Sequence, residues 1–207
     1  MCYLKVKRFI DIVLSFLGLI ILSPVFLIIT VAIKIDSEGP ILFKQKRVGK
    51  GKTYFNILKF RTMKVDAPKD VPKHLLQNPE QYVTRVGKFL RDTSLDELPQ
   101  IWNIFVGQMS IIGPRPALWN QYDLIAERDK YGANDIRPGL TGWAQINAKS
   151  ELPIEIKAKL DGEYVQKLSF LFDVKCFFGT IVRLLTGSGA VESGKVEEWK
   201  AESRKVE

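Results

Sequence analysis

The 207-residue chain is expected to adopt an α+β, predominantly helical fold. It should comprise an N-terminal re-entrant (helix-break-helix) membrane hairpin, a small β-hairpin, and interfacial amphipathic helices around a globular core. Three observations predict this. Residues 12–33 form one apolar run interrupted at Ser23-Pro24. Segments 41–48 and 53–60 read as two strands around Gly49-Lys50-Gly51-Lys52, a glycine-containing turn. Phe170, Val174, Phe177, Phe178, Ile181, Val182 and Leu185 recur at helical spacing opposite a thin polar face of Asp173, Lys175, Thr180 and Arg183. The expected boundaries are 1–36 for the membrane hairpin, 37–187 for the globular domain and 188–207 for a charged, solvated tail.

The apolar run decides the first element. About 22 residues at roughly 1.5 Å each give about 33 Å, enough for roughly 30 Å of hydrocarbon. Pro24 lacks an N–H and clashes with the preceding turn, so a helix there kinks or breaks. Hydropathy alone divides evenly between a kinked spanning helix, since membrane helices tolerate proline, and a re-entrant hairpin. Charge tilts the balance. Lys5, Lys7 and Arg8 precede the run, and Lys34, Lys44, Lys46, Arg47, Lys50 and Lys52 follow it. Lys/Arg-rich flanks stay cytoplasmic, so the chain should enter and leave by one face, with arms of about 16 Å each. The run is too long for a signal-peptide h-region, and no small-residue cleavage site follows.

Composition sets further bounds. The net charge of +8 suits nucleic acid on a soluble protein. Beside a membrane segment it suits anionic head groups and phosphate-rich substrates, and no nucleic-acid partner is expected. Cys2 and Cys176 stand at opposite ends without a disulfide framework or metal-ligand spacing, consistent with a reducing compartment. His74 is the single histidine. A histidine-based triad or zinc site is therefore nearly excluded, and His74 reads as a surface residue.

The remaining elements follow in order. Asp36-Ser37-Glu38-Gly39-Pro40 breaks the chain before the hairpin, whose solvent face should be basic. Residues 62–80 are polar and contain Pro68, Pro72 and Pro79, so an irregular loop is expected. A short helix is expected over 82–90. A stronger one is expected over 94–106, with Ser94 as N-cap, Glu97 completing a capping box, and Leu98, Ile101, Trp102 and Phe105 as its apolar stripe. Pro114, Pro116, Pro138 and Gly139 mark loops, with a helix between them over 118–130. The segment from Phe170 reads as a helix lying in the head-group plane; packing of its apolar stripe on the core is the alternative.

Asp96-Glu97 is the sharpest chemical candidate. In a first helical turn both carboxylates can flank a group approaching the helix end, where free N–H groups and the dipole favour phosphate. An ionised Asp is a competent nucleophile. A neighbouring Glu suits a hard divalent cation, Mg²⁺ above all, shared with substrate phosphates. For an isolated acidic pair, capping and dipole preferences alone are the better explanation. Gly113-Pro114-Arg115-Pro116 is a rigid loop carrying an arginine suited to bidentate phosphate recognition. Arg137-Pro138-Gly139-Leu140-Thr141-Gly142-Trp143 offers flexible backbone, a cation and an aromatic face. Lys59-Phe60-Arg61-Thr62-Met63 adds cations beside the hairpin.

Each motif alone is unspecific. Their order behind a broken membrane helix is not: Lys59-Phe60-Arg61-Thr62-Met63, Ser94-Leu95-Asp96-Glu97-Leu98-Pro99-Gln100, Met109-Ser110-Ile111-Ile112-Gly113-Pro114-Arg115-Pro116, then Arg137 to Trp143. Over residues 5–187 the chain closely resembles the bacterial sugar transferases, the monotopic phosphoglycosyl transferases. It looks like the minimal members, without the extra N-terminal spans of larger ones. The resemblance implies transfer of a phosphosugar from a UDP-sugar to undecaprenyl phosphate with release of UMP, an early membrane step of glycoconjugate or protein N-glycosylation. It implies Asp96 as nucleophile in a ping-pong scheme through a covalent phosphosugar intermediate, with Glu97 helping to bind Mg²⁺. Arg115 would contact a substrate phosphate, and Lys59, Arg137 and Gln145 would also serve substrate binding. The Ser23-Pro24 break would set a re-entrant hairpin exposed on the cytoplasmic face of the bacterial inner membrane, in contact with its phospholipids. A catalytically inactive, membrane-anchored scaffold is the alternative, against which intact Asp96, Glu97 and Arg115 speak.

Overall fold

The computed structural model of the chain describes residues 2–67, 79–147 and 152–186. The described residues form two compact units. One is drawn from Met1–Asp11, Arg47–Phe55 and Gly107–Glu207, the other from Ile12–Lys46 and Asn56–Val106. The expected tail 188–207, His74 and the middle of the 62–80 loop lie outside the described residues.

The second unit contains the break, and α1 (Cys2–Ile21) runs into it from the first. Helices α1 and α2 (Ser23–Asp36) meet at 59°. Pro24 cannot donate to the Ile20 carbonyl, and the Ser23 hydroxyl donates to it instead at 2.8 Å. Leu22 N–H still reaches Gly18 O, and Phe26 N–H reaches Leu22 O, both at 2.9 Å. The Ser-Pro pair thus bends the helix while keeping the freed carbonyl bonded. Among the described residues no single helix is long and apolar enough to cross a membrane; the bent pair passes that test together. Ile29 and Ile33 of α2 are buried with Phe60 and Leu90, and Phe26 packs on Phe60 at 5.5 Å between ring centroids. Much of the remaining apolar surface, including Phe16, Ile20, Ile21, Leu27, Ile28 and Ile35, is exposed.

Strands β1 (Leu42–Val48) and β2 (Tyr54–Phe60) form the expected hairpin within a residue at each end. Gly51 at the turn has φ 62°, a conformation that glycine adopts without penalty. Lys44 and Lys46 are exposed, as a basic solvent face requires.

The two helices expected next are corrected. The first is α3 (Arg85–Asp92), starting at Thr84, whose side chain accepts the Gly87 N–H at 3.0 Å. The continuous helix over 94–106 does not form. Ser94 is left-handed (φ 57°, ψ 15°) and its side chain caps nothing; residues Leu95–Glu97 make one 3-10 turn, and α4 (Gln100–Phe105) starts only after Pro99. A capping box needs an extended N-cap residue. Ser94 instead ends the preceding helix, its N–H bonded to Arg91 O at 3.1 Å, and the Glu97 carboxylate is drawn to Lys59.

In the first unit, β3 (Ser110–Ile112) pairs in parallel with β4 (Gly139–Thr141), Ser110 opposite Gly139 and Ile112 opposite Thr141. The loop expected at Pro138-Gly139 is therefore a strand. A Cβ on Gly139 would lie 2.1 Å from Gly113 N, and one on Gly113 2.7 Å from Arg137 O. Two of the four motifs are thus halves of one structure that needs glycine on both sides. Helix α5 (Tyr122–Asp129) falls inside the expected span. Helices α6 (Trp143–Asn147) and α7 (Ile154–Gln166) have no counterpart in the sequence expectations. The inner face of α7 carries Ala158, Asp161 and Gly162, which breaks the apolar periodicity. Asp161 is held there by Arg128, and Gly162 makes room for the Tyr131 ring. The core gathers Trp143, Ile146, Ile156, Leu160, Tyr164 and Cys176.

Helix α8 (Phe170–Thr186) lies where expected. Two residues of its thin polar face point inward: Asp173 is buried, and the Thr180 hydroxyl meets that of Thr141 at 2.8 Å, while Lys175 is exposed. Phe170, Leu171, Phe177, Phe178, Val182, Leu184 and Leu185 are exposed. Packing of the apolar stripe on the core is therefore ruled out; α8 wears its apolar side outward. The Asp173 carboxylate accepts from Tyr3, from Lys7 at 2.6 Å and from the Tyr164 hydroxyl at 2.6 Å.

Candidate active site

In the second unit, three of the expected residues come together. Asp96 and Glu97 sit side by side on the 3-10 turn, and Lys59 at the end of β2 faces both. Its Nζ lies 2.6 Å from Glu97 Oε1 and 3.9 Å from Asp96 Oδ2. All three side chains are largely covered, at 17%, 14% and 21% exposure for Lys59, Asp96 and Glu97.

Neighbouring side chains explain this placement. The Asn103 amide clamps α4 to β2, donating to Asn56 O at 2.9 Å and accepting the Leu58 N–H at 3.0 Å. This fixes the strand just before Lys59. Leu95 and Leu98, on either side of the dyad, pack against the Phe60–Leu90 cluster. Pro99 ends the turn and starts α4. The dyad is thus raised on a tight turn whose apolar neighbours are anchored.

The motif around Lys59 divides its work residue by residue. Phe60 fills the core. The Arg61 guanidinium donates to the carbonyls of Pro40, Glu38 and Ser37 at 2.6, 2.6 and 2.8 Å. It therefore closes the turn after α2 rather than offering charge to a ligand. The Thr62 hydroxyl accepts from Arg91 Nε at 2.8 Å.

Arg91 is a site residue that the sequence expectations missed. Burial lowers its proton affinity, and the Asp96 and Glu80 carboxylates oppose that shift. Its Nη1 is buried without a hydrogen-bond partner, a donor left over beside the dyad. The one available signal was its position shortly before the dyad.

Arg115, Arg137 and Gln145 belong to the first unit. Arg115 stands between buried Pro114 and Pro116. Its own carbonyl accepts Arg128 Nη2 at 3.0 Å, while the same guanidinium donates twice to Asp161 Oδ2, at 2.8 and 2.6 Å. A buried ion pair thus sets the backbone of the arginine loop. Arg183 of α8 is a neighbour of Arg115: burial and the like charge of Arg115 both lower its proton affinity. Both amide atoms of Gln145 are buried without a partner, a state native structures rarely leave unused. Arg137 donates from Nε to Gly107 O at 2.8 Å.

Among the described residues no three His, Cys, Asp or Glu side chains gather as a metal cage. Two adjacent carboxylates do fit a cation that takes its other ligands from water and substrate phosphate, the usual habit of Mg²⁺.

A family model described as bacterial sugar transferase matches residues 2–187. The chain is 42% identical over 185 residues to the UDP-glucose:undecaprenyl-phosphate glucose-1-phosphate transferase of Escherichia coli, covering 86% of this chain and 39% of that protein. It is 39% identical over 194 residues to an Aeromonas hydrophila UDP-N-acetylgalactosamine-undecaprenyl-phosphate N-acetylgalactosaminephosphotransferase, covering 91% and 45%. It is 35% identical over 198 residues to the exopolysaccharide production protein ExoY of Sinorhizobium fredii, covering 89% and 87%. The chain therefore spans under half the length of the first two relatives and most of the third.

Proposed function

Since the chain belongs to the bacterial sugar transferase family, we propose that it transfers a phosphosugar from a UDP-sugar to undecaprenyl phosphate, releasing UMP. The observation that carries this reading is the Asp96-Glu97 pair, held side by side on one anchored turn with Lys59 against both carboxylates. An Asp96 oxygen attacks the sugar-bearing phosphorus, the bond to the UMP oxygen breaks, and UMP leaves. An oxygen of the lipid phosphate then attacks the same phosphorus. It displaces the Asp96 carboxylate and forms the polyprenyl diphosphate sugar. One phosphoanhydride replaces another, so no ATP is consumed.

The charges of the turn suit this division. Two anions approach each other in each step, and splitting the displacement makes both easier. Lys59 and Arg91 sit where negative charge accumulates, and preorganised cations are worth most in a covered site. Glu97, with Asp96, would hold Mg²⁺, which neutralises phosphate charge when bound. Arg115 and Gln145 serve substrate binding in this reading. The alternating sugars in the relatives' names, glucose and N-acetylgalactosamine, leave glucose-type and N-acetylhexosamine donors both as candidates here.

The membrane reading rests on outward apolar surface. The bent α1–α2 pair and α8 both expose large apolar side chains, far beyond scattered surface residues. A re-entrant hairpin at 1–36 and an interfacial α8 would hold the 37–187 domain at head-group depth, on the cytoplasmic face of the inner membrane. There a water-soluble donor can meet a lipid phosphate in an early step of glycoconjugate assembly.

The test is UMP release from a panel of UDP-sugars with undecaprenyl phosphate, detergent and Mg²⁺. Asp96→Asn should lower turnover by about 10³-fold or more with unchanged thermal stability, and a labelled phosphosugar should be found on Asp96 of the wild type. Normal turnover by Asp96→Asn would sink the nucleophile assignment. For topology, single cysteines at positions 5 and 38 should both react with an impermeant maleimide from the cytoplasmic face; labelling from opposite faces would establish a spanning helix.

A further inference from the structure

Helix α8 carries a cation, Arg183, that the proposed transfer does not use. Arg183 lies seven residues after buried Cys176 and three after Thr180, so the three share one face of the helix. That face is pinned inward. The Thr180 hydroxyl meets that of Thr141 at 2.8 Å, and the Thr141 carbonyl accepts the Gly113 N–H at 2.8 Å. Gly113 opens the loop that carries Arg115 two residues later, and the intervening Pro114 carbonyl accepts the Gly139 N–H at 2.9 Å. Arg183 is partly buried on the side that faces this loop.

The surroundings leave its charge unanswered. Among the described residues Arg183 has no hydrogen-bond or ion-pair partner. The charge that reaches it is that of Arg115: burial first, and then this like charge, lower its proton affinity, with no carboxylate opposing them. Arg115 holds an interaction of its own and enters here only as a charge; the donors in question are those of Arg183. The helix dipole favours a cation in the last turn, but a side chain turned to water would satisfy it equally. A guanidinium turned inward toward a second one costs energy unless an anion offsets the pair.

The flanking residues say which kind of anion fits. Val182, Leu184 and Leu185 are exposed, as are Phe177 and Phe178. A soluble anion at Arg183 would leave these side chains in water. A phosphate carried on a lipid satisfies both needs. Its oxygens take the guanidinium fork, and its chains cover the apolar side of the helix.

We propose that Arg183 binds the phosphate of a membrane lipid, with Arg115 adding charge and the exposed apolar side chains of α8 lying against the lipid chains. The lipid source rests on the membrane reading above, and an acceptor role rests on the transferase reading as well. The phosphomonoester of a polyprenyl acceptor and the phosphodiester of a phospholipid share this chemistry, and the probes below separate them.

The test uses the full chain in phosphate-free detergent, read by thermal shift at constant ionic strength. The probes are undecaprenyl phosphate, dioleoyl phosphatidylglycerol, undecaprenol and inorganic phosphate. Wild type should be stabilised saturably by a phosphate-bearing lipid, and far less by undecaprenol or inorganic phosphate at the same concentration. Arg183→Gln should raise the half-saturating lipid concentration about tenfold. Arg183→Lys, which keeps the charge and loses the fork, should raise it about threefold. The probe-free melting temperature of Arg183→Gln should be no lower than wild type, since no hydrogen bond is lost. A loss confined to undecaprenyl phosphate identifies the acceptor, and a loss for phosphatidylglycerol, alone or as well, identifies phospholipid head groups. Responses to both lipids that survive Arg183→Gln unchanged would overturn the proposal, as would an equal response to inorganic phosphate. A lower probe-free melting temperature would assign Arg183 to the fold and overturn it too. Binding is read without sugar transfer. Wild type that binds lipid but releases no UMP fails the transferase reading alone, and binding that ignores Arg183 fails this proposal alone.

Discussion

Two sets of carboxylates in this protein are held in opposite ways. Asp161 is enclosed at 1% exposure and takes two N–H bonds from Arg128. Asp173 accepts from three side chains on α1 and α7. Asp96 and Glu97 instead stand together on a short turn, with Lys59 at 3.9 Å from the first and 2.6 Å from the second. A carboxylate saturated with donors is a poor nucleophile and a good tether. Two adjacent carboxylates repel each other, and a cation shared between them offsets part of that cost.

The comparison can be broken from either side. The largest expected effect is on the structural side. Arg128→Met leaves Asp161 buried and unpaired, and breaking such a pair costs about 3–5 kcal/mol. Thermal unfolding should show this as a large drop in melting temperature, with Arg115 misplaced because its carbonyl loses the Arg128 donor. A melting temperature close to wild type would mean that Asp161 is not the tether described. At the dyad, Lys59→Met should lower turnover about 10²-fold while thermal stability falls less than in Arg128→Met, since Lys59 keeps more exposure than Arg128. If it instead unfolds the protein and spares turnover in the folded fraction, Lys59 belongs with the structural set.

The smallest effect concerns pH. Burial first, then the Asp173 charge, push the Cys176 thiol up to about 12. The folded protein therefore keeps a proton that the unfolded chain loses above the ordinary thiol value of about 8.5. This contribution is complete below that value and is lost as pH rises toward about 12. Tyr3 and Tyr164, both raised mainly by burial and then by Asp173, act in the same direction at more alkaline pH. Cys176→Ala should flatten the decline in melting temperature that begins near pH 9, measured across an alkaline series. An unchanged slope would show that the thiol ionises without penalty.

Much of the fold was legible where a local rule acts alone. The helix break follows from one missing N–H at Pro24, and the hairpin follows from two strand-like runs around a glycine turn. Helix α8 follows from its spacing, though that spacing did not say which side faces out. The elements that were missed depend on partners distant in sequence. The inner face of α7 is disguised by Asp161 and Gly162, which make sense only against Arg128 and Tyr131. The β3–β4 pair is hidden in proline- and glycine-rich segments because its glycines serve close backbone approach, which resembles loop composition. The capping box failed because Ser94 belongs to the end of the previous helix.

The sequence by itself determined the chemistry on offer: the Asp-Glu pair, the bent apolar run, the basic flanks and the family to which the chain belongs. Those are properties of residue type and order, and no folding is needed to read them. Only the tertiary structure decided which cations do what. It committed Arg61 to three carbonyls, placed Arg91 beside Asp96, turned Arg128 into a tether and bound Arg137 to the Gly107 carbonyl. A guanidinium looks the same in every sequence, and its role is set by which oxygens the fold brings within reach.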